Sequence, residues 1–196
     1  EGGEMNYYFI YGPELIDVTR RYSSLTGKPE LPPMWALGYQ QCKWSYYPES
    51  KVKEITNKMR ALAIPCDAIY LDIDYMDGFR CFTWDKEKFP EPKRMISELK
   101  EQGFKTVVII DEKYPVFKEA IENNYFCRRA DGPYMKGKVW PGECYFPDFT
   151  NPKVRKWWTG VFQELIEDIG VRGVWNDMNE PAVFESGRLS PGRRTA

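Results

Sequence analysis

Short apolar runs alternate along this chain with longer segments whose apolar residues recur at helical spacing. The runs predict buried strands at positions 35–39, 68–73, 105–110 and 171–175. The spacing, together with flanking Gly or Pro residues, predicts helices at positions 48–63, 93–102 and 152–169. A repeated strand–helix order is typical of an α/β fold with a parallel sheet.

Four such strands would form half of an eight-stranded (β/α)8 barrel. An open doubly wound sheet is the structural alternative, although no glycine-rich phosphate loop follows any of the strands. The stretch 111–150 is too long for an ordinary connection, so we expect a functional loop or a small subdomain there. Within it, Ala130-Asp131-Gly132 fits the turn of a hairpin.

The first 33 residues have a different pattern. Positions 5–11 form an aromatic, strand-like run that Gly12-Pro13 stops, and positions 14–25 predict a helix that ends at Thr26-Gly27. The prolines that follow predict a stiff connection to the rest of the chain; they are Pro29, Pro32 and Pro33.

Composition limits the classes of function. The chain has 196 residues, enough for one domain with a sizeable core, and its net charge of −1 gives no electrostatic reason to bind nucleic acid or an anionic membrane. No run approaches the roughly 18 apolar residues that cross a bilayer. Aromatic residues make up 16% of the chain, and this surplus would suit a cleft in which rings stack on sugar C–H groups.

Cysteine and histidine usage narrows the chemistry further. Five cysteines with long spacings and no Cys-x-x-Cys predict reduced thiols in a cytoplasmic protein, with neither a disulfide framework nor a zinc site. The chain has no histidine, which excludes Ser-His-Asp and Cys-His catalysis within it as well as histidine-ligated metals. We expect no cofactor and no metal, so carboxylates must carry any acid–base or nucleophilic chemistry.

The clearest candidate is the segment Trp175-Asn176-Asp177-Met178-Asn179-Glu180-Pro181. It continues the last predicted strand, and an apolar strand that runs into carboxylates delivers reactive groups to the carboxyl end of a parallel sheet, where active sites of α/β proteins lie. The proline disfavours helix at Glu180, so the acidic residues are expected on a loop. A capped strand end with a solvated acidic turn is the structural alternative.

A second acidic pair, Asp72-Ile73-Asp74, ends the strand predicted at 68–73. Strand alternation places the two carboxylates on one side. Taken alone, the pair could be the metal-binding Asp-x-Asp of a glycosyltransferase, the nucleophile pair of a phosphatase-like enzyme, or a strand cap beside a solvated aspartate. No nearby third type of ligand supports the metal-binding interpretation.

Five segments in order resemble glycoside hydrolase family 31, the α-glucosidase and α-xylosidase family. They are Tyr22 to Tyr39 with its Leu25-Thr26-Gly27 and Leu31-Pro32-Pro33 elements, Gln41-Cys42-Lys43-Trp44-Ser45-Tyr46, Asp72 to Asp77, Val139-Trp140-Pro141-Gly142 with Phe146 to Pro152, and Trp175 to Glu180. The resemblance covers nearly the whole chain and implies a retaining α-glucosidase-type hydrolase.

The resemblance also implies roles for individual residues. Asp177 matches the family's catalytic nucleophile, which forms a covalent glycosyl ester while a second carboxylic acid protonates the leaving oxygen. Glu180 matches a supporting position. The remaining matches are expected to contact the substrate; they are Asp72, Trp44, Ile109, Asp111, Trp140, Trp175, Met178 and Phe184. Asp111 departs from the family pattern, because Glu112-Lys113 follows it where the family usually has proline.

The resemblance predicts the domain organisation as well. Residues 1–12 are expected to end a β-sandwich, residues 13–33 to form a linker helix and Pro-rich connection, and residues 34–196 to supply the first four strand–helix units of a TIM barrel. The family's acid/base Asp, an Arg and a His lie on later strands, so we expect a fragment that is inactive alone. Its expected partners are an α-linked oligosaccharide or α-glucoside and the remainder of the barrel.

Three alternatives stay open at this stage. The protein could be an α-xylosidase or an α-transglucosylase of the same family. It could instead be a non-catalytic carbohydrate-binding fragment. A metal-dependent glycosyltransferase is the third option, and it requires a metal dependence that the first two lack.

Overall fold

The computed structural model describes residues 5–111, 118–139, 142–179, 182–183 and 185–186. The chain divides into two compact units, one comprising residues 1–34 and the other residues 35–196.

The first unit contains helix α1 (Leu15–Thr26), which agrees with the helix predicted at 14–25. The helix ends at Gly27, whose φ of 85° suits glycine and whose N–H donates to the Ser23 carbonyl at 3.0 Å. Arg21 Nη1 donates to the Tyr11 carbonyl at 2.5 Å and so ties the preceding segment to the helix. The strand predicted at 5–11 does not form among the described residues of this unit, because no other strand there satisfies its backbone groups.

The second unit contains two sheets. Its described strands are β1 (Gln40–Gln41), β2 (Ala68–Leu71), β3 (Lys105–Asp111), β4 (Lys136–Val139), β5 (Gly142–Tyr145), β6 (Gly173–Asp177) and β7 (Glu185–Ser186). The parallel sheet has the order β1-β2-β3-β6, in which each strand lies beside the next one of that sheet along the chain. This order is that of the first four strands of a (β/α)8 barrel, so the predicted partial barrel is confirmed.

Helices connect the parallel strands. They are α2 (Glu49–Ala61), α3 (Pro92–Glu101), α4 (Lys118–Glu122) and α5 (Pro152–Gln163), the last of which continues as a π-helical segment over Glu164–Ile169. α3 and α5 each begin with a proline, whose missing N–H costs nothing in the first turn. The Asn151 side chain also caps α5 by accepting from the Lys153 N–H at 2.9 Å.

The two faces of the parallel sheet differ in what they pack against. The outward-facing residues of β2 and β3 belong to one core with the apolar faces of α2 and α3; they are Ile69, Leu71, Val108 and Ile110. The opposite face carries Tyr70 and Trp175, which are only half-buried and whose ring centroids lie 6.3 Å apart. The period-2 alternation of a strand therefore separates a helix-covered face from an interior face.

The first barrel strand lies later than predicted. The run 35–39 is not a strand, because Met34–Leu37 form a 3-10 turn and pairing begins at Gln40 opposite Ala68. The Gly38 backbone passes close to the Asp67 side chain, and a Cβ at position 38 would lie 1.7 Å from Asp67 Oδ2. The Asp67 N–H then donates to the Tyr39 carbonyl at 2.8 Å, and only after this contact do the strands align.

The last barrel strand also lies later than predicted, at Gly173–Asp177 instead of 171–175. Its register is set by pairing with β3, which aligns Ile109 with Trp175 and Asp111 with Asp177. Asp177 is consequently the final residue of a strand, with its backbone position determined by the sheet.

Within the described part of the long stretch 111–150 lie α4 and the antiparallel β4–β5 pair. β7 adds to the other edge of β4. The turn predicted at 130–132 is present. The Gly132 N–H donates to the Arg129 carbonyl at 2.9 Å, and the backbones of Arg128 and Tyr134 form an isolated antiparallel β-bridge.

All five cysteines are free thiols in the structure. The cytoplasmic location inferred from them stays a prediction. Within the part of the chain that the structure describes, every helix is too short or too polar to traverse a bilayer.

Candidate active site at the carboxyl end of the barrel strands

A cavity of about 150 Å³ lies at the carboxyl ends of the parallel strands. Six of its lining residues were predicted site residues, and Ile73 is the seventh; they are Trp44, Asp72, Ile73, Ile109, Trp175, Asp177 and Met178. The loop after β1, the end of β2, β3 and the end of β6 each contribute. Residues that are separated by up to 134 positions in the chain are therefore brought together because parallel strands end at one edge of the sheet.

Asp177 is half-buried at the end of β6, and the backbone turns sharply immediately after it. Met178 has a φ of 59°, a left-handed conformation that is uncommon for a residue with a side chain. Holding such a residue costs on the order of 1–3 kcal/mol, and strain of this kind is concentrated at functional sites. The turn allows Asp177 and the next residue along the chain to line the same cavity.

Asp72 follows β2 directly, and its environment disfavours the charged carboxylate. Its Oδ1 accepts from the Ile73 N–H at 2.7 Å, which caps the short 3-10 turn Ile73–Tyr75. Burial raises the pKa of Asp72, and the negative charges of Asp74 and Asp177 raise it further, while the hydrogen bond from Ile73 opposes them. Asp72 and Asp177 both line the cavity.

Trp44 lies on the loop after β1, and 66% of its surface is exposed. Its indole Nε1 donates to Asp74 Oδ2 at 2.9 Å, which links this loop to the turn after β2. Asp74 therefore contacts a wall of the cavity instead of lining it. In the segments that the structure describes, no three His, Cys, Asp or Glu side chains are grouped as ligands of a metal ion would be.

Beneath the cavity, a polar network supports the interior face of the sheet. Tyr70 OH donates to Gln40 Oε1 at 2.5 Å, and Gln40 Nε2 donates to the Ala36 carbonyl at 2.7 Å. Tyr70 also contacts Trp175 edge to face. Sequence reasoning did not assign Tyr70 to the site, although it lies two positions before Asp72 and strand alternation places both on one face.

Tyr75 is a second supporting residue that the sequence did not reveal. It is almost completely buried, and its OH donates to the Ile109 carbonyl at 2.9 Å. This contact joins the turn after β2 to the strand that carries Ile109 into the cavity. The two residues of this hydrogen bond are 34 positions apart in the sequence, so no local pattern predicts it.

Four predicted site residues cannot be placed fully. Asp111 ends β3 opposite Asp177, but its side chain is outside the described part of the structure. Trp140, Glu180 and Phe184 lie outside the described residues.

The arrangement suits a small polyhydroxylated ligand. Two carboxylates offer oxygen acceptors for hydroxyl groups, and charge-assisted hydrogen bonds of this type are stronger than neutral ones. Indole and aliphatic side chains around them supply apolar surface for the C–H groups of a sugar ring. A carboxylate held at the end of a strand is also positioned to attack an electrophilic carbon.

The chain is similar in sequence to known proteins. Residues 29–195 match the glycosyl hydrolases family 31 TIM-barrel domain. The chain is 47% identical over 190 residues to alpha-glucosidase 2 of Bacillus thermoamyloliquefaciens, an alignment that covers 94% of this chain and 24% of that protein.

Two solved structures are similar in backbone as well as sequence. A family 31 alpha-glucosidase from Bacteroides thetaiotaomicron is 46% identical with a TM-score of 0.75, covering 86% of this chain and 30% of that one. A dextranase of the same family from Flavobacterium johnsoniae, complexed with glucose, is 37% identical with a TM-score of 0.81, covering 88% of this chain and 22% of that one.

The chain thus spans about a quarter of the length of the alpha-glucosidase from Bacillus thermoamyloliquefaciens. The match to the family's barrel domain extends over more than half of the chain, and the structure supplies the first four strands of that barrel in order. The predicted family is confirmed: this chain belongs to glycoside hydrolase family 31.

Proposed function

We propose that this chain supplies the nucleophile-bearing half of the active site of a retaining α-glucosidase-type glycoside hydrolase. The observation that carries the proposal is the position of Asp177, at the end of a barrel strand and in one cavity with Asp72 and two indole rings. Family membership and an alpha-glucosidase 47% identical to the chain support the same activity.

In the proposed reaction, Asp177 Oδ attacks the anomeric carbon of an α-glucoside. The bond from that carbon to the leaving oxygen breaks, and a second carboxylic acid protonates that oxygen. The resulting β-linked glycosyl ester on Asp177 is opened by water, which restores the carboxylate and releases a sugar of retained α-configuration. The general acid is proposed to come from a part of the whole protein other than these 196 residues.

The other site residues are proposed to hold the sugar. Asp72 would accept hydrogen bonds from its hydroxyl groups, and the half-buried position of its carboxylate beside Asp177 supports that role. Apolar walls and further contacts are proposed for the remaining residues, namely Trp44, Ile109, Asp111, Trp140, Trp175, Met178 and Phe184. Glu180 is proposed to support the loop that follows Asp177.

The organisation around the half-barrel is also a proposal. Residues 1–12 would end a β-sandwich that precedes the barrel, and residues 13–33, which include α1, would connect the two. The remainder of the barrel would pair with the edge strands β1 and β6, whose outer edges are open among the described residues.

The test uses the full-length enzyme and an aryl α-glucoside, with an aryl α-xyloside assayed in parallel. We expect hydrolysis of the glucoside, an α-configured first product by NMR, and a covalent adduct on the Asp177 peptide after reaction with a slowly turned-over fluorinated glucosyl donor. Binding without turnover would favour a carbohydrate-binding protein, and a β-configured first product would exclude the covalent mechanism.

A further inference from the structure

The hydrogen bond between Trp44 and Asp74 joins two loops at the mouth of the cavity. Trp44 Nε1 donates to Asp74 Oδ2 at 2.9 Å, across 30 positions of sequence. An indole N–H can only donate and a carboxylate can only accept, so the contact has one possible polarity. The ring of Trp44 is bonded at its nitrogen, and the same residue lines the cavity.

The two indoles of the cavity differ in exposure and in the element that carries them. Trp175 projects from β6, is half-buried and packs against Tyr70. Trp44 projects from a loop and is 66% exposed. An exposed side chain has more rotamer freedom than a buried one, and each contact that restricts this freedom before the ligand arrives lowers the cost of binding.

Asp74 is well placed to restrict it. It is the middle residue of the turn Ile73–Tyr75, which Asp72 caps at one end. The next residue, Tyr75, is buried and bonded to the Ile109 carbonyl, and its own carbonyl accepts from the Asp85 N–H at 2.9 Å. Asp74 thus stands on a turn that is anchored on both sides.

We propose that Asp74 is a positioning residue that fixes the indole of Trp44 as a wall of the sugar pocket. The inference rests on the proposed function and extends it to a residue outside the cavity lining. It also separates the two members of the Asp-x-Asp pair, because Asp72 faces the cavity while Asp74 bonds the loop after β1. Asp74 acts through Trp44 and makes no contact with the reacting atoms.

The test uses the full-length enzyme with Asp74→Ala, Trp44→Phe and the double variant. Trp44→Phe retains an aromatic ring and removes the N–H. We expect each single variant to lower kcat/KM for an aryl α-glucoside about tenfold, mainly through KM, which corresponds to about 1.4 kcal/mol. Because the two changes break the same contact, the double variant should fall no more than about twofold below either single variant.

Two further variants separate positioning from charge and from general damage. Asp74→Asn retains an acceptor oxygen and should stay within about threefold of the parent enzyme. Asp131→Ala is the matched control, since it removes an exposed carboxylate that is paired with Arg129 and is not among the residues lining the cavity, and it should change nothing. Melting temperatures confirm that each variant is folded, and Trp44→Phe with Asp74→Asn keeps the test valid if Asp74→Ala does not fold.

Calorimetric binding of glucose provides a readout independent of turnover. The affinity should fall about tenfold in Asp74→Ala and Trp44→Phe, and it should be preserved in Asp74→Asn. The proposal is overturned if both contact-breaking variants stay within twofold of the parent, if their effects multiply in the double variant, or if Asp74→Asn is as damaged as Asp74→Ala. A parent enzyme that binds glucose but hydrolyses no glycoside would refute the proposed function and leave the Asp74 test intact.

Discussion

The two faces of the parallel sheet are built from the same strands but meet opposite requirements. On the helix-covered face, Leu71 and Ile110 are completely buried in the main core. On the interior face, Asp72, which directly follows Leu71, and Asp177 at the end of β6 are half-buried, and both line the cavity. One face contributes stability through apolar burial, while the other holds groups that would be more stable in water.

Because the two faces differ in this way, substitutions at adjacent positions of the chain, which lie on opposite faces, should affect different properties of the protein. A change on the covered face should unfold the protein without altering the chemistry of molecules that remain folded. A change on the interior face should impair the chemistry with little loss of stability, or even with a gain.

The largest effect is expected from Asp177→Ala and Asp177→Asn in the full-length enzyme. Neither side chain can form the glycosyl ester, so kcat should fall by more than about 10⁴-fold, in the range seen when covalent enzymes lose their nucleophile. The melting temperature should be nearly unchanged. Activity within tenfold of the parent, in a preparation free of contaminating glycosidase, would remove Asp177 from this role.

On the covered face, Leu71→Ala should lower the free energy of unfolding by about 2–5 kcal/mol, because it leaves a cavity in a fully buried core. Urea unfolding followed by circular dichroism measures the loss. The KM of the fraction that remains folded should match the parent enzyme. A large change in KM at unchanged stability would show that the two faces are not separable in this way.

The next effect concerns sugar recognition by Asp72. Asp72→Ala should raise KM and lower kcat/KM for an aryl α-glucoside by about 10- to 100-fold, since hydrogen bonds to a charged group contribute about 1.5–3 kcal/mol. Steady-state kinetics with and without added Mg²⁺ or Mn²⁺ provide the measurement. Recovery of activity on addition of either ion would support the metal-binding interpretation of the Asp-x-Asp pair.

The smallest effect is on stability and depends on pH. Burial and the neighbouring carboxylates raise the pKa of Asp72, so its ionised form is less favourable in the folded state than in the unfolded state. Above the raised pKa this lowers the free energy of unfolding, and the cost disappears once the carboxyl is protonated in both states. Asp72→Asn keeps the acceptor for the Ile73 N–H and should therefore raise the melting temperature at neutral pH.

That gain should shrink as the pH falls through the raised pKa towards the ordinary carboxyl range. Melting curves of parent and variant across this interval give the answer. A stabilisation that grows on acidification would mean that the pKa of Asp72 is lowered by folding, contrary to the burial of its carboxyl.

The local pattern of apolar and polar residues in the sequence predicted much of the order of strands and helices. Short apolar runs and helical spacing predicted the strand–helix order, because a buried strand is apolar throughout and a helix repeats apolar residues on the face that it buries. Carboxylates directly after apolar runs predicted that Asp72 and Asp177 lie at the carboxyl edge of the sheet. These features depend on neighbours in the chain, which the sequence records directly. The other predicted residues that line the cavity came from the family resemblance; they are Trp44, Ile109, Trp175 and Met178.

The tertiary structure decided what depends on distant partners. The start of β1 depends on the close contact between Gly38 and Asp67. Asp177 is the last residue of its strand because β6 pairs with β3, which places Asp177 opposite Asp111. The contact between Trp44 and Asp74 joins two loops that no spacing relates. Register and loop contacts are set by which backbone and side-chain groups can satisfy one another across the fold, and for such pairs the linear pattern carries no signal.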